Sequence, residues 1–181
     1  MAILSTARLR LEPFDMSHLD GLHEMNADPE VMRYISGQPE TREETTSAIE
    51  RVQVRWRESG YSWWSFLDRV SGRVVGAGCI QNLRRTNSPV PDRTCPLEIG
   101  WRLRRDRWHQ GLASEAAVAM ADFAFGTLAA PELYAVCDPN NAASAAVMSR
   151  LGMDDLGIDT WYGHSLRTYR TTAERWASRK G

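Results

Sequence analysis

Near the start of the chain Leu9 and Leu11 alternate with Arg8, Arg10 and Glu12, a period of two that predicts a strand with one face toward a core. Ser17-His18-Leu19-Asp20 opens a helix with a cap residue and an early acid, and Pro29 after Asp28 starts a second, short one, because proline is tolerated in a first helical turn. Thr41-Arg42-Glu43-Glu44 has the spacing of a capping box; Ile49, Val52 and Trp56 then fall on one helical face, and Gly60 ends the helix. Residues 61–68 and 73–83 read as antiparallel strands joined around Ser71-Gly72, with a polar, proline-containing loop over 84–95.

The second half repeats a strand-turn-helix order. The apolar strand Leu97-Glu98-Ile99-Gly100-Trp101 precedes a helix whose stripe is Leu112, Ala116, Met120 and Phe123. Leu133–Cys137 is a strand, Asp138–Ser144 a turn and helix cap, and the following helix turns Val147 and Leu151 inward before ending at Leu151-Gly152-Met153. Two further strands are expected at about 153–162 and 165–172. With no internal repeat or low-complexity tract, the 181 residues suit a single domain over 1–181, of α+β class: a central, mostly antiparallel sheet of about seven strands flanked by helices.

Composition narrows the chemistry. A net charge of -1 gives no general pull toward nucleic acid or an anionic membrane, although Arg102, Arg104, Arg105 and Arg107 cluster locally. Lys180 is the only lysine, which leaves no candidate for a P-loop or for a pyridoxal Schiff base. Cys79, Cys95 and Cys137 are widely spaced and form neither a disulfide framework nor a metal motif, and His18 and His23, five apart, do not share a helical face, so no metal is expected. No run of eighteen apolar residues and no secretory leader is present, so a cytoplasmic location is the default expectation.

The most informative stretch is Trp108-His109-Gln110-Gly111-Leu112-Ala113-Ser114-Glu115-Ala116, which runs from a strand straight into a helix. Small residues at 111 and 113 allow close backbone approach, and the first-turn N–H groups of a helix point at any anion placed there. Such a turn suits a pyrophosphate. Taken alone it is more often only a turn, but Leu133–Cys137 running into Asn141-Ala142-Ala143-Ser144 supplies a second, consistent segment.

These two segments resemble the GNAT N-acetyltransferases, and within them the RimJ/RimL-like branch. The family motif Arg/Gln-x-x-Gly-x-Gly/Ala lands on Trp108–Ala113, with the branch's Trp at its first position and His109 where the branch usually has Gly. Asn141-x-x-Ser144 with Leu151-Gly152-Met153, the opening Thr6–Leu11 and Asp28–Tyr34 continue the likeness. The resemblance implies a sheet splayed in its middle and an acetyl-CoA co-substrate held by Trp101, Leu103, Trp108, His109, Gln110, Gly111, Leu112, Ala113, Ser114, Asn141 and Ser144. It also implies direct attack of an amine on the thioester, with the acceptor against Tyr34, Trp64 and Trp161.

Catalytic roles follow in part. Ser144 is the implied donor to the departing sulfur, or a helix serine bonding back to its own backbone; the family's more usual tyrosine acid falls on Met148. Glu98 is the candidate base, its carboxyl raised if it lies beside an apolar wedge, or a charge on a half-exposed strand. Asn141 reads first as a helix cap, and the tryptophans also serve as core. The expected activity is acetyl transfer to a primary amine, a peptide N-terminus first and a small molecule second. Two other classes remain, an acyl-CoA-binding module without turnover and an unrelated α+β protein whose glycine turn is structural only, and the expected assembly is a monomer or homodimer.

Overall fold

The computed structural model describes residues 1–88 and 90–179. Eight strands form one sheet: β1 (Leu4–Ser5), β2 (Leu9–Pro13), β3 (Trp63–Asp68), β4 (Val74–Asn82), β5 (Leu97–Leu103), β6 (Glu132–Cys137), β7 (Asp154–Trp161) and β8 (His164–Thr172). The helices are α1 (Leu19–Asn26), α2 (Pro29–Met32), α3 (Arg42–Ser59), α4 (Leu112–Gly126), α5 (Ala142–Arg150) and α6 (Ala173–Ser178). Strand order is β1-β2-β3-β4-β5-β6-β8-β7, and the recorded pairings are antiparallel apart from the parallel β5–β6 pair. The α+β class is as expected. The expected seven strands become eight because Leu4–Ser5 pairs with β2, and two residues are too few to carry a readable period.

The chain divides into two compact units, the first comprising Met1–Cys79 and Trp101–Ala119, the second Ile80–Gly100 and the residues from Met120 onward. In the first, β2 to β4 form a meander in which Leu11 faces Phe66 and Trp64 faces Gly78. The turn into β4 is built by Asp68, whose Oδ1 accepts from the amides of Val70 and Ser71, while Gly72 takes φ 70°. Gly76 of β4 has no room for a side chain: a Cβ there would sit 2.5 Å from Leu103 and 2.8 Å from the carbonyl of Arg102. Gly21 likewise lets α1 press on Val74, where a Cβ would stand 2.7 Å from that of valine.

Helix α3 has the expected ends. Thr41 and Glu44 exchange both bonds of a capping box, Gly60 closes the helix at φ 76°, and Ile49, Val52 and Trp56 are buried. Trp56 meets Trp64 edge-on at 4.8 Å and donates to the Trp63 carbonyl. The first helix begins differently from the sequence expectation. Asp15, not Ser17, is the cap: it accepts from the Ser17 amide and starts a 3-10 turn over Met16–His18 that leads into α1.

In the second unit β6 pairs along its length with β8, and β8 with β7, whose residues before Trp161 are exposed. Helix α6 closes on α4 through Trp176, which donates to Asp122 at 2.7 Å and stacks on Phe125. Asn141 caps α5 by accepting from the Ser144 amide, and Gly152 ends that helix in the left-handed region. Among the described residues no helix is long and apolar enough to cross a membrane.

Candidate active site

The turn between β5 and α4 is a row of unused donors. The amides of His109, Gln110, Gly111, Leu112 and Ala113 meet no protein acceptor among the described residues; the helix's internal bonding starts with the Glu115 amide on the Gly111 carbonyl. Two residues are left-handed, His109 at φ 59° and Gly111 at φ 76°. The second is a glycine and adopts it freely; the first is not, and the position explains why a glycine there is the easier choice. Trp108 anchors the turn by donating its indole N–H to the Leu103 carbonyl at 3.0 Å, and Gln110 donates to the Asp106 carbonyl.

A latch from the chain's start holds the turn in place. Glu115 in the first turn of α4 accepts from the Thr6 hydroxyl at 2.5 Å, the Arg8 amide at 2.8 Å and Arg8 Nε at 2.6 Å. Arg8 also reaches the Gln110 carbonyl at 2.9 Å, so its guanidinium ties together both sides of the turn. Burial pushes the Glu115 carboxyl up, but the bonds from Thr6 and Arg8 outweigh it and hold the group below its ordinary value. Sequence reading gave no role to Glu115 or to Arg8 beyond a likeness.

In the second unit Glu98 is buried, 6% exposed, which decides against the reading as a half-exposed surface charge. Its Oε1 accepts from Gln81 Nε2 at 2.7 Å and from the Tyr162 hydroxyl. Burial pushes its pKa up to about 7, against the hydrogen bonds of Tyr162 and Gln81 and the charge of Arg84. A carboxylate poised near neutrality can take a proton from an ammonium or amine. Tyr162 and Gln81 were absent from the expected catalytic residues.

The parallel pairing of β5 with β6 is registered at Glu98 and Tyr134, with no further pair among the described residues. The resemblance implies that the sheet splays between these two strands, and a single registered pair is consistent with it. The Ser144 hydroxyl makes no hydrogen bond to a described residue, whereas Ser149 bonds back to the Ala145 carbonyl; Ser144 is thus not held by its own helix. Met148 is buried at 2% exposure in α5. Burial pushes the Cys137 thiol up to about 11, so it is no nucleophile near neutral pH.

The expected acceptor residues separate. Trp64 is fully buried in the core, packed on Trp56 with its indole N–H on the Ala2 carbonyl. Trp161 is also buried: it donates to Thr168, meets Tyr134 edge-on and lies under the Arg85 guanidinium at 3.6 Å. The turn residue beside it, Tyr162, is the one that reaches Glu98. Tyr34 is partly exposed beneath the Arg33 guanidinium, Trp101 is partly exposed on β5, and Leu103 is buried. Among the described residues no three metal-ligating side chains gather.

Residues 8–154 match the model of the Acetyltransferase (GNAT) domain. This chain belongs to the GNAT acetyltransferase family. The acetyltransferase is 34% identical over 158 residues to the uncharacterized protein YkkB of Bacillus subtilis, covering 83% of this chain and 84% of that one. It is 30% identical over 151 residues to the FsC-acetyl coenzyme A-N(2)-transacetylase of Aspergillus fumigatus, with 83% of this chain and 64% of that protein covered. Its fold matches the acetyltransferase of Agrobacterium tumefaciens with a TM-score of 0.78, 26% identity and coverage of 94% of both chains. It also matches RimL, a ribosomal-protein α-N-acetyltransferase solved with coenzyme A, with a TM-score of 0.76 at 17% identity over 94% of this chain and 98% of that one. The domain's co-substrate is acetyl-CoA.

Proposed function

We propose that the protein moves an acetyl group directly from acetyl-CoA to a primary amine, with the β5–α4 turn binding the pyrophosphate and Glu98 accepting the amine proton. The observation that carries this reading is the run of five amides, His109 through Ala113, that meet no protein acceptor. A helix dipole adds about 0.3–1 kcal/mol for each well-placed charge, and the charge-assisted bonds add more. Trp108, Gln110 and Ser114 serve by shaping the turn, with Trp101 and Leu103 on the strand that leads into it.

The chemistry needs no covalent enzyme intermediate. Glu98 takes a proton from the amine as its nitrogen attacks the thioester carbonyl, the carbon–sulfur bond breaks, the Ser144 hydroxyl donates a hydrogen bond to the departing thiolate, which takes its proton from solvent, and Glu98 releases its proton to solvent. A thiol of pKa about 8.5 leaves with little help, so the buried Met148 at the position where the resemblance places the usual tyrosine acid is tolerable. Asn141 orders the turn that presents Ser144. The acceptor classes that fit are a peptide N-terminus and a small-molecule amine.

Thermal melting with acetyl-CoA against buffer tests this reading. The shift should correspond to about 2.7 kcal/mol at one hundred times the dissociation constant, and Gly111→Glu, compared with its own melt in buffer, should lose it. Release of CoA with a panel of amines then separates an enzyme from a module that only holds the thioester. No shift at saturating co-substrate would sink the reading.

A further inference from the structure

Among the arginines of the first unit, Arg102 is set apart by its surroundings. Arg104 has Glu24 and Asp106 within ion-pair distance, Arg107 has Asp68, and Arg8 has Glu115. Arg102, on β5, has no carboxylate within 4.0 Å among the described residues and donates no hydrogen bond to any of them. Its Nε is closed off from solvent with no partner, and its guanidinium carbon lies 4.7 Å above the Trp63 ring. The carboxylate whose field it feels is Glu40, one of whose oxygens is engaged by Asn26 at 2.8 Å and Thr45 at 3.3 Å.

Across the sheet a second donor is also unused. Ser65 of β3 faces Ala77 of β4, and the bond from the Arg104 amide to the Val75 carbonyl sets β4 against β5 so that Ala77 stands opposite Arg102. Ser65, Ala77 and Arg102 therefore line one face of the sheet in a row, with only a methyl group between the two polar side chains. The Ser65 hydroxyl is buried and has no hydrogen-bond partner. Two orphaned polar groups around one small residue are costly unless something supplies acceptors, since each unmade buried bond costs about 1–3 kcal/mol, and more for a charged group. A planar guanidinium over an indole can present its fork to a carboxylate in two parallel bonds.

We propose that Arg102, with Ser65, forms an anion subsite that recognises a carboxylate on the acceptor, so that the amine acetylated by this protein carries a carboxylate. The identity of the bound carboxylate as part of the acceptor rests on the acetyl-transfer reading; the anion site itself does not. Burial holds the Arg102 guanidinium below its ordinary pKa without discharging it, so the charge is present for an anion to meet.

The side-chain Nε–H resonance of Arg102, identified by its disappearance in Arg102→Lys, reports the site without any catalysis. Glutarate and acetate should move it saturably, whereas glutaramide and acetamide should not. The exposed Arg57 serves as the control for ionic strength. A resonance that ignores the carboxylates, or that moves only in step with Arg57, overturns the proposal. In turnover, an amino acid should exceed its own amide in kcat/KM by about tenfold or more. Arg102→Met should erase that ratio by raising KM for the acid alone, and an equal or inverted ratio in the unaltered protein counts against the acceptor assignment. Loss of the acetyl-CoA melting shift would instead strike the acetyl-transfer reading, leaving the resonance to decide the anion site.

Discussion

Tyr162 donates its phenolic hydrogen to the same Glu98 oxygen that receives the Gln81 amide at 2.7 Å. The tyrosine reaches it from a left-handed backbone, φ 55°, at the tip of the β7–β8 hairpin. That tip is pinned by the bonds from the Tyr162 amide to the Arg84 carbonyl at 2.7 Å and from the Gly163 amide to the Arg85 carbonyl at 3.1 Å. Arg84 also covers the Tyr162 ring at 4.9 Å. A non-glycine residue stays at positive φ only when its surroundings over-determine it, and here they do so around the candidate base.

The pH dependence of turnover follows from this arrangement. Glu98 must be ionised to act as a base, so log kcat/KM should fall on the acid side with a midpoint near its pKa of about 7. Tyr162→Phe removes a bond that favours the charged form and should move that midpoint upward, while Glu98→Gln should lower the rate by about 10²–10⁴-fold. The profile of CoA release across neutral pH reads both. An unmoved midpoint in Tyr162→Phe would show that another group carries the acid limb.

The same carboxyl makes stability depend on pH in a direction opposite to that of most acids. Its folded pKa of about 7 lies above the ordinary value of 4.5, so its contribution is intact below 4.5 and is lost as pH rises through 7, where the unfolded chain ionises freely and the buried site resists. The difference corresponds to roughly 3 kcal/mol. Glu98→Gln should therefore gain stability relative to the unaltered protein on going from pH 4 to pH 8. Urea titrations at those two pH values would show parallel curves if Glu98 were in fact solvated.

Much of this was legible because it is local. The β5–α4 turn, the α3 capping box and the Asn141 cap are written in residues within a few positions of one another, where spacing translates directly into geometry. Tyr162 escaped because its partner lies 64 positions away, and a tyrosine in a hairpin turn gives no sign of what it touches. Trp63 and Trp64 are adjacent on a strand and point to opposite faces, but with apolar residues on both sides alternation alone did not say which was core. The two-residue β1 carries no period at all.

The left-handed pair in the turn yields a contrast between two substitutions. His109 at φ 59° sits in a region that costs an ordinary residue about 1–2 kcal/mol, whereas a glycine there surrenders about 0.5–1 kcal/mol of chain entropy. His109→Gly should thus be neutral or stabilising by up to about 1 kcal/mol. Gly111→Ala, at φ 76°, should destabilise by about 1 kcal/mol or more. Chemical denaturation of the two variants checks the order, and the reverse order would mean that the turn relaxes to another conformation when either residue changes.

The latch between Arg8 and Glu115 should matter more for the co-substrate than for the fold. Arg8 is half exposed, 51% against 17% for Glu115, so solvent screening limits what the ion pair adds to stability to about 1 kcal/mol. Its geometric effect is larger, because the same guanidinium holds the Gln110 carbonyl and so fixes the turn that carries the free amides. Arg8→Gln and Glu115→Gln should each raise KM for acetyl-CoA several-fold with little change in kcat at saturation. Combined, they should cost less than the sum of the two, because either one releases the same loop. Additive losses in a double-mutant cycle would mean that Arg8 and Glu115 act separately, with Arg8 then touching the phosphate itself.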